Sequence, residues 1–274
     1  MRTAAASLEL VRPRSLDEAL RLVSEDSALV PIAGCTDVFV GLNAGTLSAT
    51  RFIDLWPLEE LREVGIRNGA VSVGALVTHT MVQESPLITS RLPILAAACR
   101  EIGGIQIQRR GTLGGNVANG SPAGDTLPVL AAAEAVVVLR SVTGERRVSF
   151  TSFFTGYRTS VRRPDELIVS FELPPVEHPQ YFRKVGTRAA QAISKIVMAV
   201  VGTERPRIAL GSVAPTVVRC MKTEAALASG ASIEDASRML EEEIQPIDDI
   251  RSTADYRRRV ASNLLRRWAA DAGR

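Results

Sequence analysis

Gly111-Thr112-Leu113-Gly114-Gly115-Asn116-Val117-Ala118-Asn119-Gly120-Ser121-Pro122-Ala123-Gly124-Asp125-Thr126-Leu127-Pro128 is the stretch on which the reading of this chain turns. It holds five glycines, two asparagines, a serine, two threonines and one aspartate, with almost no bulk. A loop of this make-up lets backbone N–H groups come close to a ligand, because glycine has no Cβ in the way. Successive N–H groups make a concavity suited to anionic oxygens such as those of a diphosphate. Asp125, acceptor-only when ionised, can hold a sugar hydroxyl or a ring N–H. Composition alone favours an ordinary surface connection, so the neighbouring sequence has to decide.

The 274 residues are 46% apolar and 23% charged, the balance of a globular protein of two or three domains. A formal net charge of +3 and only 4% aromatic residues argue against a nucleic-acid binder, which would need a basic face or stacking rings. No apolar run reaches the length of a membrane span. Met1 to Leu10 lacks the basic start and apolar core of a signal peptide, so the expected location is cytoplasmic. Cys35, Cys99 and Cys220 are far apart and form no Cys-x-x-Cys, so the chain is not expected to ligate an iron–sulfur cluster or a structural zinc by itself. With only His79 and His178, a Ser/His/Asp arrangement is not expected either. Any redox chemistry would fall to a bound cofactor.

Patterning predicts an α+β fold. Ser15-Leu16-Asp17-Glu18 is a capping box, and Leu16, Ala19, Leu20 and Val23 form one helix face. Strands are predicted over 28–33 and 51–55, and Asn68-Gly69 marks a two-residue hairpin turn within 64–76. Helices are predicted from Thr78, over 92–102 and over 127–133. Strands follow over 135–141, 146–150 and 167–173. Pro174-Pro175 and Glu177-His178-Pro179 form the main boundary. Beyond it lie strands over 181–185, 196–201 and 208–213, expected as a three-stranded antiparallel meander, and helices over 221–228, 233–242 and 253–270. Ser252 with Asp255 is the expected cap of the last helix, which carries Arg257, Arg258, Arg259, Arg266 and Arg267. That positive face is either solvated or a dock for an acidic partner. The expected division is 1–58, 59–176 and 177–274.

A second small-residue turn, Ala33-Gly34-Cys35-Thr36-Asp37, also follows an apolar segment. Neither turn fits Gly-x-Gly-x-x-Gly or the phosphate loop Gly-x-x-x-x-Gly-Lys-Ser/Thr. Two separate loops could instead grip one extended dinucleotide from two sides.

Ala33 to Asp37, Gln106-Ile107, Gly111 to Asn116 and Ser121 to Asp125 together resemble the FAD-binding medium subunits of the molybdenum hydroxylases, the family of carbon monoxide and xanthine dehydrogenase flavoproteins. Asp165 to Ile168, Phe182 to Lys184 and Gln191 to Lys195 resemble further family segments, so the similarity covers nearly the whole chain. The resemblance implies two subdomains of the FAD-binding type shared with vanillyl-alcohol oxidase-like flavoproteins, clasping FAD, plus a C-terminal α+β domain. It places Ala33, Gly34, Cys35, Thr36 and Asp37 in a first FAD loop, and Thr112, Gly114, Gly115 and Asn116 in a second loop at the diphosphate. Ser121 and Asp125 would bind the ribityl or adenosine portion, Ile168 would pack on a cofactor ring, and Lys184 would stand near the flavin.

The same resemblance implies an oxidoreductase subunit without catalytic acid, base or metal of its own. Electrons would come from a [2Fe–2S] small subunit, itself fed by a molybdopterin-binding large subunit, and leave FAD for an external acceptor. Two departures stand out. Cys35 replaces the second glycine of the family's Ala-Gly-Gly-Thr-Asp, where a Cβ is expected to restrict φ or crowd the diphosphate. Gln108-Arg109 replaces Arg-Asn in Gln-Ile-Arg-Asn. The alternatives are a self-contained FAD-dependent reductase similar to the enolpyruvyl-UDP-glucosamine reductases, and an assembly subunit without flavin.

Overall fold

The computed structural model describes residues 7–189 and 191–273; residues 1–6 of the stretch read for a leader lie outside them. The chain starts with β1 (Glu9–Val11), α1 (Leu16–Glu25), β2 (Val30–Ile32), α2 (Val38–Ala44) and β3 (Arg51–Asp54). The strands form a parallel sheet in the order β1-β3-β2. Helix α1 has the expected face, with Leu16, Ala19, Leu20 and Val23 buried. Ser15 accepts from the Glu18 N–H at 3.2 Å, while the Glu18 carboxylate takes the Arg14 N–H at 2.7 Å rather than that of Ser15. Ser15 thus covers one orphan donor of the helix, and the Glu60 carboxylate takes another, the Leu16 N–H, at 2.6 Å.

Next come β4 (Val64–Arg67) and β5 (Ala70–Gly74), joined through Asn68 and Gly69 with φ of 52° and 81°, the left-handed pair that the turn chemistry demands. Six helices follow: α3 (His79–Glu84), α4 (Pro86–Arg91), α5 (Pro93–Arg100), α6 (Ile105–Arg110), α7 (Leu113–Asn119) and α8 (Thr126–Ala132). Strands β6 (Val136–Ser141) and β7 (Gly144–Ser149), the small hairpin β8 (Phe154–Gly156) and β9 (Thr159–Ser160), and β10 (Leu167–Leu173) complete this half. The second sheet has the order β4-β5-β10-β6-β7, antiparallel throughout. One side of β6 and β10 packs on α1 through Val138, Leu167 and Val169; the other joins Val137, Leu139 and Phe171 to the helices.

The last part holds β11 (Gln180–Val185), β12 (Ile196–Val201), β13 (Arg207–Gly211) and β14 (Val218–Arg219), then α9 (Met221–Ala228), α10 (Ile233–Glu243) and α11 (Ala254–Asp271). The expected three-stranded meander is a four-stranded antiparallel sheet; β14 is too short to leave a periodic signal. Every residue of β12 is buried, because both sides of the strand are covered. Ile196, Met198 and Val200 face the helices of this part, whereas Ala199 and Val201 share a core with α8. This second contact fixes the C-terminal sheet against the helix that follows Asp125.

The structure corrects two further expectations. Residues 113–119 are helical rather than part of a loop. Glycine is a poor helix former, but Leu113 and Val117 bury one face, and Gly114 lets the helix lie on the Ala75 carbonyl, where a Cβ would come within 2.6 Å of the oxygen. The cap of α11 is Thr253, whose hydroxyl accepts from the Tyr256 N–H at 3.2 Å, one residue beyond the expected Ser252.

Candidate functional site

The two small-residue segments meet backbone to backbone. A Cβ on Gly34 would lie 1.7 Å from the Arg110 carbonyl oxygen and 3.1 Å from the Gly111 nitrogen. Only glycine permits that approach. The segment is anchored from behind, since Gly111 O accepts from the His79 N–H at 3.0 Å and the His79 ring packs against Gly111. His79 is 2% exposed, its Nδ1 is 3.5 Å from Cys99 Sγ, and burial pushes its pKa down to about 4. It is a neutral packing residue of α3.

Amide accounting separates the two segments. In the second, Leu113 N donates to Val77 O, Gly114 N to Ala75 O, Gly115 N to Thr112 Oγ1 and Asn116 N to Thr112 O, all within 2.9–3.0 Å. These N–H groups are spent on the fold, which corrects the expectation that this segment offers a row of amides to an anion. In the first, the N–H groups of Gly34, Cys35, Thr36, Asp37 and Val38 have no acceptor among the described residues. Cys35 sits there with φ 62°, the left-handed conformation that turns successive amides toward a common side. Its thiol bonds the Ala33 carbonyl at 3.4 Å, and burial raises its pKa against the nearby Arg110 charge.

The second segment still offers open backbone and oriented side chains. Gly115 is exposed, and an added Cβ would meet only Thr112 Oγ1, at 2.9 Å. Thr126, fully buried, donates to Asn116 Oδ1 at 2.5 Å and fixes that amide. Ser121 Oγ accepts from the Ala123 N–H at 3.3 Å.

Asp125 and Lys184 form the buried charge pair of the site. Lys184 Nζ reaches Asp125 Oδ2 at 2.6 Å and the Glu101 carbonyl at 3.0 Å, with both side chains under a tenth exposed. Burial lifts the Asp125 carboxyl to about 6, and Lys184, with a smaller influence of the Ser194 hydroxyl that donates to the Ala123 carbonyl, only partly offsets it. Asp125 Oδ1 is buried with no hydrogen-bond partner among the described residues. A buried carboxylate oxygen without a donor is costly, so a ligand donor would fit there. Lys184 comes from β11, so the C-terminal part reaches into the site. Ile168, 8% exposed on β10 beside a bulge, packs within the central core.

Three groups near the site were not legible from spacing. Arg110 lies over the Trp56 ring at 3.7 Å. Arg158, at the tip of the β8–β9 hairpin, has its Cα 3.3 Å from where a Gly120 Cβ would be, and its charge acts on Asp37. The arginines of α11 are mostly engaged inside the chain: Arg257 with Asp249, Arg258 with Asp255, Arg266 with Glu234 and Arg267 with Asp271. The reading of that face as a solvated one is the better supported.

Comparison with known proteins gives a consistent result. Residues 6–176 match the FAD binding domain in molybdopterin dehydrogenase, and residues 181–272 match the CO dehydrogenase flavoprotein C-terminal domain. The glyceraldehyde dehydrogenase medium chain of Sulfolobus acidocaldarius is 30% identical over 264 residues, 93% of this chain and 94% of that one. The carbon monoxide dehydrogenase medium chain of Hydrogenophaga pseudoflava is 28% identical, covering 93% of each. A solved carbon monoxide dehydrogenase from that organism, lacking the Mo-pyranopterin moiety of its molybdenum cofactor, superposes with a TM-score of 0.88 at 29% identity over 95% of both chains. Quinoline 2-oxidoreductase from Pseudomonas putida 86 shares the fold, with a TM-score of 0.90 at 24% identity. No helix among the described residues is long and apolar enough to cross a membrane.

Proposed function

Since this chain belongs to the family of FAD-binding subunits of molybdopterin dehydrogenases, we propose that it binds FAD between its two small-residue segments and relays electrons from a [2Fe–2S] subunit to an external acceptor. The carrying observation is the run of unclaimed amides from Gly34 to Val38, set directly against the Arg110–Gly111 backbone. Those N–H groups would take the diphosphate oxygens. Open backbone at Gly115 lets a flat or charged group come close, and the orphaned Asp125 Oδ1 would accept from a ligand hydroxyl or ring N–H. Bound FAD supplies the exchange between one- and two-electron carriers.

The chain's own residues bind and orient. Ala33 to Asp37 form the first wall; Thr112, Gly114, Gly115 and Asn116 form the second, with Gly114 acting through helix packing. Ser121 and Asp125 would hold a polyol or sugar, Ile168 would present its remaining surface to a ring, and Lys184 would set positive charge near the flavin. The divisions 1–58 and 59–176 are proposed as the two jaws and 177–274 as the cover. The reading includes a cytoplasmic complex with a molybdopterin-binding large subunit.

Purification of the full chain, followed by FAD titration and a visible spectrum, tests the proposal. A saturable flavin spectrum and co-purification with two other redox subunits are expected. Protein that takes up no FAD, alone or in its native complex, would overturn it.

A further inference from the structure

Residues 33–38 and 111–125 hold two aspartates and no lysine or arginine, yet the ligand assigned to them carries a diphosphate. Amides alone would face those charges unless a cation stands alongside. Arg110 is one such cation, alongside Arg158, whose charge acts on Asp37. Arg110 touches Gly34 through its backbone, its charge acts on Cys35, and its exposed guanidinium has no hydrogen-bond acceptor or carboxylate among the described residues. An exposed arginine normally wanders over many rotamers, and holding it still costs side-chain entropy. Here something holds it. The guanidinium lies over the Trp56 ring, 3.7 Å from the centroid, and the Arg62 guanidinium lies over the same ring at 4.2 Å.

The ring is itself fixed. Trp56 N donates to Asp54 Oδ1 at 3.0 Å at the end of β3. Arg62 donates to the Trp56 carbonyl at 2.5 Å and to the Leu76 carbonyl at 3.0 Å. The stack therefore joins the first sheet, the 3-10 turn at Glu59–Arg62 and the end of α6. Arg109, one residue earlier, has no such ring contact among the described residues.

We propose that Trp56 is a positioning residue for FAD, holding Arg110 beside the Gly34–Val38 turn so that its guanidinium meets the diphosphate. The inference rests on the FAD reading above. Stacking leaves the edge of the guanidinium and its N–H donors available to phosphate oxygens. The tryptophan thus lowers the ordering cost of the charge rather than touching the ligand.

The test is FAD titration of the full chain at low and moderate NaCl, with urea midpoints and far-UV circular dichroism as folding controls. Trp56→Leu and Arg110→Gln should each weaken FAD binding about tenfold, the scale of a stacked or charge-assisted contact. Both should flatten its salt dependence. The double variant should bind no more weakly than either single one. Trp56→Phe should restore most of the affinity and the salt dependence. Arg109→Gln, an equal loss of charge on the same turn, should bind like the wild type. A folded Trp56→Leu with wild-type affinity, additive losses in the double variant, or an Arg109→Gln loss equal to that of Arg110→Gln would each overturn the proposal. A wild-type chain that takes up no FAD would overturn the functional reading and this one with it; the variant comparisons fail independently of that.

Discussion

Gly34 and Arg110 are in backbone contact, with room for a hydrogen but not for a carbon between the Gly34 Cα and the Arg110 carbonyl. They lie in different parts of the FAD-binding region, so their contact sets the spacing between its two walls. Gly34→Ala must push the walls apart, because the atom in the way is backbone and cannot rotate aside. A loss of stability of about 2 kcal/mol or more is expected, together with loss of FAD uptake. Urea unfolding and flavin titration of the variant check both; unchanged values in both would show that the walls are not spaced by this contact.

Gly114 and Gly115 are neighbours with different reasons to be glycine. A Cβ at Gly114 would meet Ala75 O at 2.6 Å, within the buried seat of α7. At Gly115 it would meet only the capping hydroxyl of Thr112, at 2.9 Å, and otherwise an exposed face. Gly114→Ala is therefore expected to lower the urea midpoint, by roughly 1–3 kcal/mol of stability. Gly115→Trp is expected to keep the fold and abolish flavin absorbance by blocking close approach. A normal flavin spectrum in Gly115→Trp would remove the second segment from the site.

What could be read from the sequence was local. Asn68-Gly69 encodes its own turn, and Ser15 with Leu16, Ala19, Leu20 and Val23 encodes a capped, one-sided helix. The family segments marked Asp125 and Lys184 each as a site residue, but their pairing across 59 residues follows from no spacing rule. Other features depend on tertiary contacts. The glycines of 111–115 read as a loop because composition does not reveal that the Ala75 carbonyl makes Gly114 a helix seat. The amides of Leu113 to Asn116 looked available because their acceptors lie in 75–77 and in the Thr112 cap. Trp56 and Arg110 meet across 54 positions of chain, and an isolated tryptophan gives no hint of which cation it will carry.

Cys35 departs from the family's glycine at a position where φ is 62°. A side chain there costs about 1–2 kcal/mol, and glycine returns part of that gain as unfolded-state entropy. Cys35→Gly is expected to raise stability by up to about 1 kcal/mol and to retain FAD binding. Cys35→Val, branched at Cβ, is expected to lower stability. Urea midpoints of the three proteins rank them; a Gly variant less stable than the wild type would show that the thiol contact to Ala33 outweighs the backbone strain.

Asp125 gives the site an unusual pair of pH dependences. Its carboxyl is raised from 3.8 to about 6, chiefly by burial. The sign follows from proton counts. Below pH about 4 the group is protonated in both folded and unfolded chains, and above pH about 6 it is ionised in both. Between these values the folded chain keeps a proton that the unfolded chain has lost. The contribution of Asp125 to stability therefore falls as pH rises through this window, by about 3 kcal/mol. FAD binding should run the other way. A ligand donor at Oδ1 favours the ionised carboxylate, so affinity should rise as pH goes from 5 to 7, approaching tenfold per pH unit below 6. Asp125→Asn should remove both slopes. Titrations at pH 5, 6 and 7 in both proteins read the affinity, and urea midpoints at the same pH values read the stability. A wild-type affinity flat in pH, or a slope that survives in Asp125→Asn, would place the ligand's donor somewhere other than Oδ1.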